Sequence, residues 1–314
     1  MQQPNPAPVI ETRDLTKRFG AVMAVESLSL SIPSGGVFGL LGPNGSGKTT
    51  TMGMLLGLLR PTSGSILLFG DGTTGVHRGL LQRMGAIVET PAFYPYLSGR
   101  ANLRYFRAIG SHGEQDEVER LLEQVDLTAA AGRRFRTYSL GMKQRLGIAY
   151  ALLGDPEVVF LDEPTNGLDP AGVAEVRDLI RSLGAGGRTV VLSSHLLSEV
   201  QQVADRVAIL SRGRLVVQGS VGELLKTRDA MRLRTTDDVS AEAMLSGLPA
   251  VSGIRREDGA LIVSVAPDRS WEVSRALAEH DIYVAEMALV QGSLERYFLE
   301  VTDEPAGGAG GQSA

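Results

Sequence analysis

Cysteine is missing altogether from this 314-residue chain, so neither a disulfide framework nor a thiolate metal site can form. That absence fits a reducing compartment such as the cytosol. Long apolar runs are missing too. Nothing approaches the roughly 18 to 20 apolar residues that span a bilayer, and the longest candidates, such as 54–59 and 158–161, have the size of core segments. If the chain serves a membrane process, it is expected to do so from the water side. Basic charge is not in excess: the net charge is −5, which argues against nucleic acid or an anionic membrane as a partner. Residues 1–8 are rich in Gln and Pro, lack basic residues and an apolar core, and do not read as a signal peptide. No internal repeat is present. What remains is ordinary for a globular protein, with 43% hydrophobic and 21% charged residues. The length suits one domain of about 200 residues or more and a smaller one.

Hydrophobic rhythm divides the chain. Leu28, Leu30 and Ile32 alternate with Ser27, Ser29 and Ser31, the pattern of a half-buried strand, closed by the turn Pro33-Ser34-Gly35-Gly36. Residues 37–41 form an apolar strand running into a Gly-rich loop, and 48–59 read as a helix stopped by Pro61. Val118, Leu121, Leu122 and Val125 recur at helical spacing, as do Val173, Val176, Leu179, Ile180 and Leu183. Asp169 suits the cap of that second helix and Pro170 its first position. The runs 158–161 and 189–192 are continuously apolar, as strands buried on both faces are. Ser220 and Glu223 make a capping-box pattern for a short helix to about residue 226.

These signals predict an α/β domain over residues 9–227, with a largely parallel core and a helical subdomain at about 90–155. Residues 1–8 are a flexible N-terminus in this reading. Over 228–301 the order is strand, helix, two strands about the turn Glu257-Asp258-Gly259, helix, strand, then a last helix from Ser293. The first six of these elements match a ferredoxin-like α+β unit. Residues 302–314, ending GGAGGQSA, are expected to be a disordered tail.

Chemistry concentrates at two places. Gly42-Pro43-Asn44-Gly45-Ser46-Gly47-Lys48-Thr49 fits the P-loop pattern G-x-x-x-x-G-K-[ST] between a strand and a helix. Its backbone N–H groups and the helix N-terminus suit a phosphate. Lys48 reaches outer phosphates, the Thr49 hydroxyl suits Mg²⁺, and Thr50 adjoins the same nucleotide contacts. The second place is Val158-Val159-Phe160-Leu161-Asp162-Glu163, where an apolar strand ends in paired acids that need a partner for their charge. Asp162 suits Mg²⁺, directly or through water. Glu163 suits the alignment and deprotonation of an attacking water.

Together with Tyr138-Ser139-Leu140-Gly141-Met142-Lys143-Gln144-Arg145, these segments resemble an ABC ATPase. The third segment is similar to that family's signature, usually close to LSGGQxQR. Ser139, Gly141, Gln144 and Arg145 match, while Leu140 and Met142 depart from it. The resemblance covers residues 9–227. It implies that Phe19 stacks on adenine and that Asn166-Gly167-Leu168-Asp169 is the D-loop. It also makes His195 the switch histidine at the γ-phosphate, whereas His77, His112 and His280 carry no role. Glu89 stands where the family's Q-loop has glutamine, near Mg²⁺. With Phe93-Tyr94-Pro95-Tyr96-Leu97-Ser98-Gly99-Arg100 it is similar to the bacitracin-resistance and lantibiotic-immunity subgroup.

The resemblance further implies a head-to-tail homodimer sandwiching two ATP molecules. Each would be held by the P-loop of one subunit and by Ser139 and Gly141 of the other. A permease subunit in the membrane would receive force at residues 89–100, with the ATPase peripheral to the inner face of the cell membrane. Export of an antibiotic, peptide or hydrophobic compound is the expected task. The alternative is a soluble ABC ATPase acting on DNA or ribosomes, whose coiled coils, zinc cysteines or paired cassettes this sequence does not show.

Overall fold

The computed structural model describes residues 8–73, 78–88, 92–110, 114, 116–226, 230–290 and 292–303. The chain divides into two compact units, 1–219 and 220–314. The first begins with strands β1 (Pro8–Phe19), β2 (Val22–Pro33) and β3 (Gly36–Leu41), helix α1 (Lys48–Leu55), and strands β4 (Ser63–Leu68) and β5 (Asp71–Thr73). It continues through α2 (Arg78–Leu81), β6 (Met84–Ile87), α3 (Gly99–Gly110), α4 (Glu117–Gln124) and α5 (Leu140–Ala151). Then come β7 (Val158–Asp162), α6 (Pro170–Ala185), β8 (Thr189–Ser194), α7 (Leu197–Gln201), β9 (Arg206–Ser211) and β10 (Arg214–Ser220).

Two sheets build this unit. A four-stranded one runs β2-β1-β4-β5, with every neighbouring pair antiparallel. A six-stranded one runs β10-β9-β3-β8-β7-β6, and its pairs β9–β3, β3–β8, β8–β7 and β7–β6 are parallel. Every residue of β7 and β8 is buried, as continuous apolar runs demand when both faces are covered. Helix α1 packs against β2 and β7, α5 against β6 and β7, and α6 against β3 and β8. Register then decides where the polar ends meet. Leu41 of β3 lies beside Ser194 of β8, and Asp162 of β7 lies beside Ser193. Three strand ends therefore open at one point.

Between β6 and β7, α3, α4 and α5 pack on one another around buried Leu103, Leu122 and Leu146. Asp169 caps α6, accepting from Gly172 N at 3.0 Å, and Pro170 takes the first helical position. Helix α1 stops at Leu55, short of the expected residue 59. Leu56 N still bonds Met52 O, but Leu59 N turns back to Gly53 O at 2.9 Å and draws the chain out of the helix before Pro61.

The second unit comprises α8 (Val221–Lys226), β11 (Ala230–Thr235), α9 (Asp238–Leu245), β12 (Val251–Glu257), β13 (Ala260–Val265), α10 (Ser270–Glu279), β14 (Val284–Val290) and α11 (Leu294–Asp303). Its sheet runs β12-β13-β11-β14 with all pairs antiparallel, the strand order of a split β-α-β unit. The β12–β13 hairpin turns through Asp258 (φ 48°) and Gly259 (φ 69°), and Asp-Gly is the pair that tolerates two positive φ angles. Ser220 caps α8, its Oγ accepting from Glu223 N at 3.2 Å, and the Ser220 hydroxyl donates to Glu223 Oε2 at 2.6 Å.

The division at 219/220, rather than 227/228, groups α8 with α11, which it touches. Helix α11 also continues through Thr302 and Asp303, two residues the sequence assigns to the tail; 304–314 and 1–7 lie outside the described residues. No helix among the described residues is long and apolar enough to cross a membrane.

Candidate functional site

The loop after β3 is tightly folded. A Cβ at Gly42 would meet Leu210 O at 2.2 Å, and one at Gly47 (φ 102°) would meet Ala24 O at 2.7 Å. Only glycine fits both the space and the backbone angle. Pro43, Asn44, Gly45 and Thr49 stay exposed, and Thr50 is half-buried. Ser46 Oγ is buried without a hydrogen-bond partner among the described residues, an opening for an anionic oxygen. Lys48, 6% exposed, donates to Gly42 O at 2.8 Å and Pro43 O at 3.3 Å, and its Nζ lies 3.6 Å from Glu163 Oε1. A buried ammonium at a helix N-terminus opposes the helix dipole. Glu163 and the loop carbonyls offset that cost, and a polyphosphate seated on the same N–H groups would offset it further.

The two acids at the end of β7 have separate surroundings. Thr49 Oγ1 donates to Asp162 Oδ2 at 3.1 Å, and Ser193 Oγ donates to Asp162 Oδ1. Glu163 takes a left-handed backbone (φ 47°), a sparsely populated region for a residue with a side chain. Its N–H donates to Ser193 Oγ at 2.9 Å, its carbonyl accepts from Asn166 N at 3.1 Å, and its Oε2 accepts from His195 Nδ1 at 2.8 Å. Lys48, Thr49, Asp162, Glu163 and His195 are thus brought into one connected cluster. A hydroxyl and a carboxylate suit Mg²⁺, which binds through few protein oxygens and completes its shell with water and phosphate. Ser193 has no signal in the sequence, where a serine in an apolar strand looks like any other β residue.

The family model described as ABC transporter matches residues 25–166. The bacitracin transport ATP-binding protein BcrA of Bacillus licheniformis is 38% identical over 297 residues, covering 93% of this chain and 97% of BcrA. The chain belongs to the ABC transporter ATP-binding proteins. The daunorubicin/doxorubicin resistance ATP-binding protein DrrA of Streptomyces peucetius is 37% identical over 312 residues, covering 96% of this chain and 94% of DrrA. Among solved structures, cbiO1 of Clostridium perfringens, part of the ABC transporter complex cbiONQ, gives a TM-score of 0.63 at 26% identity, covering 69% of this chain and 90% of that one. As an ABC ATPase the protein binds ATP and hydrolyses it. Full-length likeness to transporter subunits sets aside the reading as a soluble factor for DNA or ribosomes.

Other expected positions of this ABC protein fall as follows. Phe19, at the end of β1, is 46% exposed, with Lys17 Nζ 4.8 Å from its ring centroid. Ser139 caps α5, its Oγ accepting from Met142 N at 3.2 Å, and both Ser139 and Leu140 are exposed. Gly141 is half-buried, and among the described residues no hydrogen bond joins Ser139 or Gly141 to the loop at 42–49. Arg145 serves packing: it donates to Asp126 O at 3.1 Å and Asp126 Oδ2 at 3.2 Å, and lies 3.6 Å from Glu175. His280 Nδ1 donates to Ala276 O at 3.0 Å within its own helix end. Glu89, His77 and His112 lie outside the described residues.

Proposed function

We propose that this ABC ATPase hydrolyses Mg-ATP on the cytoplasmic face of the membrane and powers export through a separate permease. The cargo is an antibiotic, a peptide or another hydrophobic compound. The observation that carries the hydrolytic part is the single cluster formed by Lys48, Thr49, Asp162, Glu163 and His195 at the ends of β3, β7 and β8. The names of BcrA and DrrA, for bacitracin transport and for daunorubicin/doxorubicin resistance, support the cargo class.

In this reading the N–H groups of residues 42–49 hold the phosphates, and Phe19 offers its exposed ring to adenine. Thr49 and Asp162 would hold Mg²⁺, with Glu89 near it, and a bound ion would supply positive charge toward the outer phosphate oxygens. Lys48 meets charge that grows on the transferred phosphoryl group. Glu163 orients the attacking water and takes its proton, and His195 fixes the Glu163 carboxylate through Nδ1.

Two copies meet head to tail, each presenting Ser139 and Gly141 to the ATP of the other. The exposed cap favours this: the Ser139 oxygen is occupied by Met142 N, but its O–H proton is free to donate to a phosphate. A permease helix docks beside Tyr94 (46% exposed), Tyr96 (73%) and Leu97 (38%), whose aromatic surface continues into Tyr105 and Phe106.

Size-exclusion with light scattering tests the sandwich. Glu163→Gln keeps the nucleotide contacts and stops hydrolysis, so it should run as a dimer with Mg-ATP and a monomer without. Adding Ser139→Arg should abolish the dimer while the monomer still binds ATP. A double variant that dimerises as well as Glu163→Gln alone overturns the arrangement.

A further inference from the structure

We propose that Ser193 is a positioning residue for hydrolysis, one hydroxyl that sets the carboxylate of Asp162 and the backbone of Glu163 together. The inference rests on the roles given above to Asp162 and Glu163. Ser193 is fully buried near the end of β8, directly across from Asp162 in the parallel register. Its O–H donates to Asp162 Oδ1, and its oxygen accepts from Glu163 N at 2.9 Å. A hydroxyl has one proton to give, so both directions are fixed once Asp162 has taken it.

The other buried hydroxyls of β8 have local or structural partners. Thr189 Oγ1 accepts from Gly35 N at 2.8 Å, holding the turn before β3, and Ser194 Oγ accepts from Leu196 N at 2.9 Å. Ser193 differs in that both of its partners are the adjacent acids of the site. Asp162 then takes two hydroxyls: Ser193 from β8 on Oδ1, and Thr49 from α1, nearer Oδ2 at 3.1 Å than Oδ1 at 3.4 Å, so the bond from Ser193 is the one that singles out Oδ1 and fixes the turn of the carboxylate.

The second bond matters through backbone shape. Glu163 sits in the left-handed region, where a non-glycine residue stays only if its surroundings hold it. The bond from Glu163 N to Ser193 Oγ is one such hold on its backbone, and the bond from Asn166 N to Glu163 O is another. Without the first, the peptide before Glu163 is freed to relax. Its carboxylate would then move from Lys48 and His195, which now flank it at 3.6 and 2.8 Å. Nothing in the pair touches the loop at 42–47, so the grip on the triphosphate itself should persist.

The test compares Ser193→Ala, Ser193→Thr and Glu163→Gln in the full-length protein. ATPase kinetics are measured alongside binding of a fluorescent ATP analogue titrated with and without Mg²⁺. Ser193→Ala should lower kcat by about 10- to 100-fold, the range for losing a partner that orients a metal-site ligand. KM for ATP should stay within about threefold, as expected when orientation and not binding is lost. Analogue binding without Mg²⁺ should be unchanged, while half-maximal enhancement by Mg²⁺ should need more of the ion. Ser193→Thr, which keeps the hydroxyl, should restore kcat and the Mg²⁺ midpoint.

A Ser193→Ala protein with wild-type kcat and Mg²⁺ midpoint overturns the proposal. So does one that loses Mg²⁺-free binding in step with turnover, which would report a general structural role. If the alanine variant does not fold, a threonine variant that folds but lacks turnover also overturns it. A Glu163→Gln protein that hydrolyses ATP at the wild-type rate would instead refute the role of Glu163 on which the inference stands.

Discussion

In the first unit, Ser46, Lys48, Asp162, Ser193 and Ser194 are buried at or just beyond the ends of strands β3, β7 and β8. In the second unit the buried set among the described residues is apolar, with Met231, Leu233, Leu261, Val263, Val273 and Leu277 at its centre. Both units have an apolar core, but among the described residues only the first adds a set of buried polar and charged side chains. An apolar interior is satisfied by any packing of suitable volume, and its stability follows the surface removed from water. A polar interior stands only if each group finds a partner, and every partner constrains geometry. The first unit therefore keeps side chains in fixed directions at one point, whereas the second holds a shape. Mutations should separate the two: at the polar strand ends of the first unit turnover is lost before stability, and in the apolar core of the second stability alone.

Lys48→Ala is the hardest test of that division. It removes the cation proposed above to meet the transferred phosphoryl group and should lower ATP turnover by about 10²- to 10³-fold, while the melting temperature stays near wild type. Turnover within about threefold of wild type would break the assignment. Leu233→Ala probes the other side. Leu233 is fully buried on β11, and the truncation should destabilise its unit by about 2 to 5 kcal/mol. ATP binding should persist at temperatures below the new transition; a folded variant without ATP binding would contradict the separation.

The smallest effect belongs to the exposed charges of the helical segment. Hydrogen bonding from Arg100 at 2.8 Å, helped by Arg104 at 2.9 Å, holds the Glu119 carboxyl below the usual carboxylate range. A lowered folded pKa adds stability at neutral pH, which is lost as the pH falls through the folded value. Glu119 is 43% exposed, so solvent screens the pair, and Glu119→Gln should cost under about 1 kcal/mol at pH 7. The difference from wild type should fade in acid denaturation series; a difference that grows toward low pH would reverse the sign.

Much of this was legible in the sequence because the signals are local. The P-loop glycines, the Asp162-Glu163 pair after four apolar residues, the Asp169-Pro170 cap and the Asp258-Gly259 turn each need only neighbours along the chain. Ser193 was not legible, since its meaning comes from the parallel register that sets β8 against β7. The end of α1 was misread for a related reason: Leu59 turns back to Gly53 through space, ahead of the Pro61 stop that the sequence suggests. The assignment of α8 depended on packing against α11, some seventy residues away in sequence, which no capping box encodes.

The left-handed backbone of Glu163 sets two selections against each other. Glycine or asparagine would occupy that angle with less strain, so a randomised library ranked by heat resistance is expected to drift toward them at position 163. The same library ranked by ATP turnover should hold glutamate. Position 163 is then a readout of which pressure a lineage has felt, and a stabilising consensus built without regard to turnover would erase it first.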